Sequence, residues 1–474
     1  MSIISEIVSP ARRWFEQDRL RWIKILVISG ILLFSVYFVP RIVTGNRRSL
    51  ILLLLYLSFL GLLVLLRWPA IGLILTIMGG ALIPFSGPSG LNVAFIGIAL
   101  LLGLWLLEMI VRDRKIQLMA SRTILPAIIF IVISIIVFVV GQIHWYPFAS
   151  QAPIDAQIGG LAIFLLSLGT FILAAHILRD MRWLQALTWS FIALGGIYVI
   201  GRILGVGSIV DRFYQNGFTA GSMFWTWLVA LTFSQAAFNH RLHWRIRVVL
   251  WGVLLITLYV AIVPAYDWKS GWIPPLAAIA SILGFRYWRR LWILLPLAII
   301  PANYIMTNAI ATDRGSYGTR LDAWALVIRI VKVNPILGLG FANYRFYTHL
   351  FPYRGVFWTL NSHNQYVDIY AQTGLLGLAC LIWLAWEFVR LGWSLRQRAP
   401  EGFAQAYVYG VLGGIVGMII SGFFVDWFLP FVYNIGMSGF RSSMLAWLFL
   451  GGLVSLEQIV RNKDVTLQGN GPVE

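Results

Sequence analysis

The sequence predicts an all-α polytopic membrane protein of about 12–14 transmembrane helices, with a large outer (periplasmic) loop containing an amphipathic helix. Three observations carry this expectation. Of 474 residues, 59% are hydrophobic and only 11% charged, whereas a soluble domain carries about 25% charge. Charge this sparse suits a chain that crosses lipid repeatedly and needs ions only at the ends of its spans. Apolar runs long enough to span a bilayer recur along the chain, and a single long segment, 307–362, interrupts them in the C-terminal half.

Taken in order, the runs are 25–39, 50–66, 70–85, 91–111, 124–141, 158–178, 184–201, 218–238, 248–266, 272–285, 291–306, 366–389, 404–424 and 442–456. The shorter ones suit re-entrant or merged helices, and Gly or Pro inside a span, as at Pro274 and Pro275, is tolerated within a bundle. The polar, basic first 24 residues and the Pro40-Arg41 that follows the first run predict a retained anchor instead of a cleaved signal. The expected organisation is a cytoplasmic segment 1–24, a bundle 25–306, the large loop 307–365, C-terminal helices 366–456 and a cytoplasmic tail 457–474. The lone Cys380 excludes an intramolecular disulfide.

Charge placement predicts orientation. With the N-terminus inside, 23 of the 36 Lys and Arg residues fall in inner segments, as the preference of basic loops for the cytoplasm requires. Both termini are then cytoplasmic, and topology absorbs most of the net charge of +18, with no nucleic-acid partner implied. Six of the 13 outer cations sit in the large loop: Arg314, Arg320, Arg329, Lys332, Arg345 and Arg354. A loop that long in a compact protein is usually functional. Thr319 and Asp322 have capping-box spacing, and Leu321, Trp324, Ala325, Ile328 and Val331 recur at helical spacing over 320–333. This predicts an amphipathic helix lying on the outer membrane surface, apolar side down, with Arg320, Arg329 and Lys332 facing water or headgroups. Asn334-Pro335 ends it.

The aromatics that follow, Phe341, Tyr344, Phe346, Tyr347, Phe351, Tyr353, Phe357 and Trp358, fit either an interface belt or stacking faces for a sugar chain, with Arg345 and Arg354 to meet anions. Next, Ser362 and Gln365 have capping-box spacing, so a span should start here with His363 in its first turn, sharing a face with Tyr366, Val367 and Tyr370. The positive helix end and any nearby Arg disfavour imidazolium, which keeps His363 neutral, as a general base must be. A lone His near a membrane interface also fits a purely structural role. No paired carboxylates or His cluster point to hydrolysis or a metal site.

The His363-Asn364-Gln365-Tyr366 segment and the Thr-Gly-Leu-Leu-Gly at 373–377 follow Arg-x-x-x-Trp at 320–324 and Asn-Pro-Ile-Leu-Gly-Leu-Gly at 334–340. Together they resemble the signature of the O-antigen ligase and polymerase superfamily, over about an eighth of the chain. The resemblance implies a glycosyltransferase of the bacterial inner membrane with its active site on the periplasmic face. It implies transfer of a glycan from an undecaprenyl-diphosphate-linked donor to a glycan or lipid A core acceptor, without metal or other cofactor. By the same resemblance His363 activates the acceptor hydroxyl, Arg320 binds the diphosphate, and Arg212, within Asp211-Arg-Phe-Tyr-Gln-Asn-Gly, is the looser match for a second arginine. Arg314, Arg329, Arg345, Asn364 and Tyr366 complete the expected substrate-binding set. Lipid bilayer and partners in a polysaccharide-assembly complex are implied as well. A base opposite the leaving group favours inversion. Fourteen spans and the spacing of Arg329 to Gly340 lean toward a polymerase over a ligase, with a protein oligosaccharyltransferase as a third member type. Two competing classes stay open: a transporter of the same superfamily, which would place ionisable groups at mid-membrane, and a non-catalytic scaffold.

Overall fold

The structure, a computed structural model, describes residues 61, 63–115, 117–290, 314–353 and 355–469. The expected spans 25–39 and 291–306, most of 50–66, Arg354 and the end of the tail lie outside the described residues, as does the side chain of Arg314. The chain divides into two units, 1–68 and 69–474. In the first, residues 63–67 are helical and the Arg67 guanidinium sits 5.6 Å from the Trp68 ring centre.

The second unit is helical throughout; among the described residues the only β-pairings are the isolated bridges Ser86 to Asn92 and Tyr353 to Val356. Its helices are α1 Pro69–Leu82, α2 Val93–Leu107, α3 Ile124–Val140, α4 Ile154–Ile177, α5 Met181–Ile203, α6 Gly207–Phe213, α7 Asn216–Thr219, α8 Ser222–Phe238, α9 Trp244–Ile262, α10 Lys269–Arg286, α11 Arg314–Val331, α12 Tyr344–Tyr347, α13 Gln365–Arg398, α14 Phe403–Ser421 and α15 Phe440–Gly469. Seven helical stretches among the described residues are long and apolar enough to cross a membrane: Val93–Arg112, α4, α5, α9, α13, α14 and Met437–Asn462. The protein is an all-α polytopic membrane protein. The outward faces agree, since Leu107, Val139, Ile197, Leu255 and Trp386 are all more than half exposed, as side chains in contact with lipid would be. α8 is apolar on every side, and every residue in it except Ala237 is buried, the mark of a helix inside the bundle. It packs against α14, α10 and α9, while α15 packs along α4.

The element that positions the site is α13. At Gly374 its backbone turns to φ 65°, ψ −165°, which interrupts the helix. The carbonyls of Ala371 and Gln372 lose their helical partners, and the N–H groups of Leu375 and Leu376 lose their acceptors. The segment 334–340 replaces all four. Leu339 N–H donates to Ala371 O (2.9 Å) and Gly340 N–H to Gln372 O (3.1 Å), while Pro335 O and Ile336 O accept from Leu375 (2.9 Å) and Leu376 (3.2 Å). In an apolar surrounding each orphaned group would cost several kcal/mol, on the order of a fully lost hydrogen bond. The two glycine-containing motifs of the sequence are thus the two halves of one backbone staple. Asn343, fully buried, ties the same segment to the bundle: its amide donates to Gly141 O and Leu339 O and accepts from Ala152 N–H.

Three local expectations are corrected. α11 begins at Arg314, so Thr319 lies inside the helix and caps nothing. Its buried face is Ala323, Leu326, Val327, Ile330 and Val331, of which the last four join a core with Leu339, Tyr344, Tyr347 and Phe431; of the stripe expected to face the membrane, Val331 is buried in protein, whereas Leu321 and Ile328 are exposed. The helix is therefore docked on protein through one apolar side and presents a second apolar side outward. Finally, α13 is capped by Asn364 and not by Ser362: Asn364 Oδ1 accepts from the N–H groups of Tyr366 (2.9 Å) and Val367 (3.2 Å).

Candidate functional site

Where α11, α12 and the chain leading into α13 meet, they enclose a cavity of about 340 Å³. α11 contributes Thr319, Arg320 and Ala323; α12 contributes Arg345; Tyr353, the run 358–361 and His363 close the remaining sides. Three of the expected site residues, Arg320, Arg345 and His363, thus line one space. Each cation is held by neutral acceptors. Arg320 Nη1 donates to Phe424 O (2.8 Å), beyond the C-terminus of α14. Arg345 Nη1 donates to Asn361 Oδ1 (2.5 Å), and its guanidinium lies 5.3 Å from the centre of the Tyr433 ring, whose backbone carbonyl accepts from Asn361 (2.9 Å). Arg320 and Arg345 thus place two guanidiniums on the wall of the cavity.

His363 is a half-buried residue with φ +49°. It sits one residue before the Asn364 cap, outside the helix, so the shared face with Tyr366, Val367 and Tyr370 is not formed. Among the described residues nothing hydrogen-bonds its imidazole. Burial lowers its pKa below the ordinary 6.5, and the Arg320 and Arg345 charges lower it further. The ring is therefore neutral at pH 7 with a nitrogen lone pair available to the cavity, for a reason the helix dipole does not supply.

Beneath the cavity lies a polar cluster sealed from water. Asp368 Oδ1 accepts from the Tyr344 hydroxyl and from Ser362 Oγ (2.8 Å). Ser362 Oγ accepts from Asn364 N–H (3.0 Å) and Ser362 N–H reaches Tyr344 Oη (3.3 Å). Trp324 Nε1 holds Ser362 O (2.8 Å). Asp426, also fully buried, accepts from Phe431 N–H and the Asn434 amide; burial raises its pKa to about 6 against those bonds. Burial also pushes the Tyr344 phenol well up.

Against known families the answer is specific. Residues 217–382 match the family model described as O-antigen ligase. Over this segment, about a third of the chain, the protein is similar to that family. No curated protein matches the chain. The matched segment runs from α7 into the second half of α13, and so includes Arg320, Arg345, His363 and both halves of the staple. At the level of that family the protein is a glycosyl-transferring membrane enzyme.

The remaining expected residues fare differently. Arg212 is exposed on α6, ahead of the matched segment, and does not line the cavity; its neighbour Asp211 pairs with Arg202. Arg329 is exposed about two and a half turns along α11 from Arg320 and is also outside the cavity lining. Asn364 is the helix cap, and Tyr366 packs on Phe423 (4.7 Å between ring centres) while donating to Ile419 O (2.5 Å). Of the loop aromatics, Phe341, Tyr344 and Tyr347 are fully buried, so they are neither belt nor stacking face; Tyr353 and Trp358 do line the cavity, and Trp358 is 62% exposed. Sequence reasoning missed Asn361, Asp368 and Asp426 as members of the site's support. Each aspartate lies in an apolar, aromatic run, Tyr-Val-Asp-Ile-Tyr and Phe-Val-Asp-Trp-Phe, and a carboxylate in such a run must find buried partners.

Proposed function

We propose that this protein transfers a glycan from an undecaprenyl-diphosphate-linked donor to an acceptor hydroxyl, on the periplasmic side of the bacterial inner membrane and without a metal. The observation that carries the reading is the single cavity that gathers Arg320, Arg345 and a neutral His363. In the reaction, a nitrogen of His363 takes the hydroxyl proton as the acceptor oxygen attacks the anomeric carbon. The bond from that carbon to the diphosphate oxygen breaks with its electron pair, and the charge gained there is met by the two guanidiniums. Arg suits this role because it is permanently cationic and holds phosphate oxygens in two-point contacts. Attack opposite the leaving group inverts the anomeric centre.

The break in α13 lends little to a transporter reading, because the staple occupies the carbonyls of Ala371 and Gln372 that an ion site at a broken helix would draw on. The test is reconstitution in liposomes with a lipid-linked repeat donor. Chain growth from the donor alone identifies a polymerase, and transfer only after addition of lipid A core identifies a ligase. His363→Ala is expected to lower the rate by about 10²–10⁴, the range for loss of a general base, with normal membrane insertion; retained transfer removes the assignment. Among the described residues no group of three or more His, Cys, Asp or Glu is placed to hold a metal ion, and full activity in chelator is the expected result. Activity lost in chelator and restored by a divalent ion overturns the metal-free mechanism.

A further inference from the structure

We propose that Asp368, acting through Tyr344 and Ser362, is the positioning residue that holds His363 in the cavity. The inference rests on the assignment of His363 as base and extends it to the groups that place it. His363 needs placing. Its φ of +49° lies in the left-handed region, which a residue with a Cβ rarely occupies unless its surroundings impose it. Every described hydrogen bond that imposes it falls on the two flanking residues. Before the histidine, Ser362 N–H is held by Tyr344 Oη and Ser362 O by Trp324 Nε1. After it, Asn364 N–H is held by Ser362 Oγ.

Two of these bonds trace through Tyr344 and Ser362 to one atom, although Ser362 Oγ also lies 3.0 Å from Asn364 O, a second acceptor for its proton. Asp368 Oδ1 accepts both the Tyr344 and the Ser362 hydroxyl protons, which leaves the Tyr344 and Ser362 oxygens facing the backbone as acceptors for those two N–H groups. Asp368 itself is 1% exposed and one turn into α13, so it touches neither the cavity nor any substrate in it. Its other oxygen, Oδ2, is buried with no hydrogen-bond partner among the described residues. A carboxylate buried at this cost and used through one oxygen is explained by what that oxygen orients.

The test separates positioning from mere folding and from the transferase reading itself. Full-length protein in liposomes is assayed for transfer, and carbethoxylation of His363 by diethyl pyrocarbonate is followed by peptide mass spectrometry across pH, since only the neutral imidazole reacts. Asp368→Ala is expected to lower kcat about 100-fold, the scale of a misplaced catalytic group, with the donor KM changed less than about two-fold. The same variant should move the midpoint of carbethoxylation up toward 6.5, because the ring leaves its half-buried place beside Arg320 and Arg345. Asp368→Asn keeps the acceptor oxygen and should restore the wild-type midpoint and most of the rate. Tyr344→Phe, which keeps the ring and loses the hydroxyl, should shift the midpoint as Asp368→Ala does, and it serves if the latter fails to insert. An unshifted midpoint in Asp368→Ala or in Tyr344→Phe, whatever the activity, overturns the proposal. A shifted midpoint in a protein whose transfer ignores His363→Ala would uphold the positioning and overturn the base.

Discussion

At the residue scale the site depends on one unpaired base among fixed cations. Because burial and then Arg320 and Arg345 hold the His363 pKa below 6.5, the reactive neutral form is present above that lowered pKa and is lost as pH falls through it. The acid limb of the rate–pH profile is therefore expected below pH 6.5. Arg345→Ala removes one of the depressing charges and should carry the limb upward, while Arg345→Lys, which keeps the charge, should leave it near its wild-type position; a limb that ignores both substitutions would detach His363 from catalysis. The neutrality was legible in the sequence, but its cause was not. A helix dipole was the only local field to be read from spacing, whereas the guanidiniums arrive from α11 and α12 through packing that no spacing encodes. The left-handed backbone at His363 was equally hidden, since it is imposed by Tyr344, Trp324 and Asp368 from three different elements.

Among the elements, α13 and α11 show where periodicity succeeds and fails. The start of α13 was placed two residues early, near the cluster of Ser, Asn and Gln, and the cap fell to Asn364 with Ser362 bonded to Asp368. The break at Gly374 has no periodic signal; only the repeated glycines hinted at it. Gly374→Ala puts a side chain into a φ/ψ region reserved for glycine, at a cost of about 1–3 kcal/mol, and sets its Cβ 2.2 Å from Ile336 O, where backbone must move. A lowered unfolding temperature in detergent, together with loss of transfer, is expected; an unchanged melting curve would show that the staple is dispensable. For α11 hydrophobic spacing found the exposed apolar stripe of Leu321 and Ile328 but gave no sign of the second, buried one that docks on protein. The docked side is the one that faces Tyr344, Tyr347 and Phe431, partners up to about 100 residues away in sequence.

On the scale of the whole molecule, composition carried the class, since 11% charge suits a chain that crosses lipid, and among the described residues the long apolar helices fall on the recurrent apolar runs. Orientation remains an inference from basic residues and has a direct check. The cavity at the start of α13 and a second one of about 360 Å³, lined by Arg241, Pro400, Glu401 and others just past its end, mark the two ends of one long helix. A cysteine at Trp358 should react with an impermeant maleimide in intact cells, and one at Glu401 only after the inner membrane is opened; the reverse order would invert the topology. The staple carries a mechanical consequence as well. The helix is bonded to segment 334–340 on both sides of Gly374, at Ala371 and Gln372 before the break and at Leu375 and Leu376 after it. A bilayer a few Å thicker or thinner changes the tilt of a spanning helix. With both sides of Gly374 held by segment 334–340, such a change of tilt is not absorbed at the break but is carried into the loop that leads to the reacting groups.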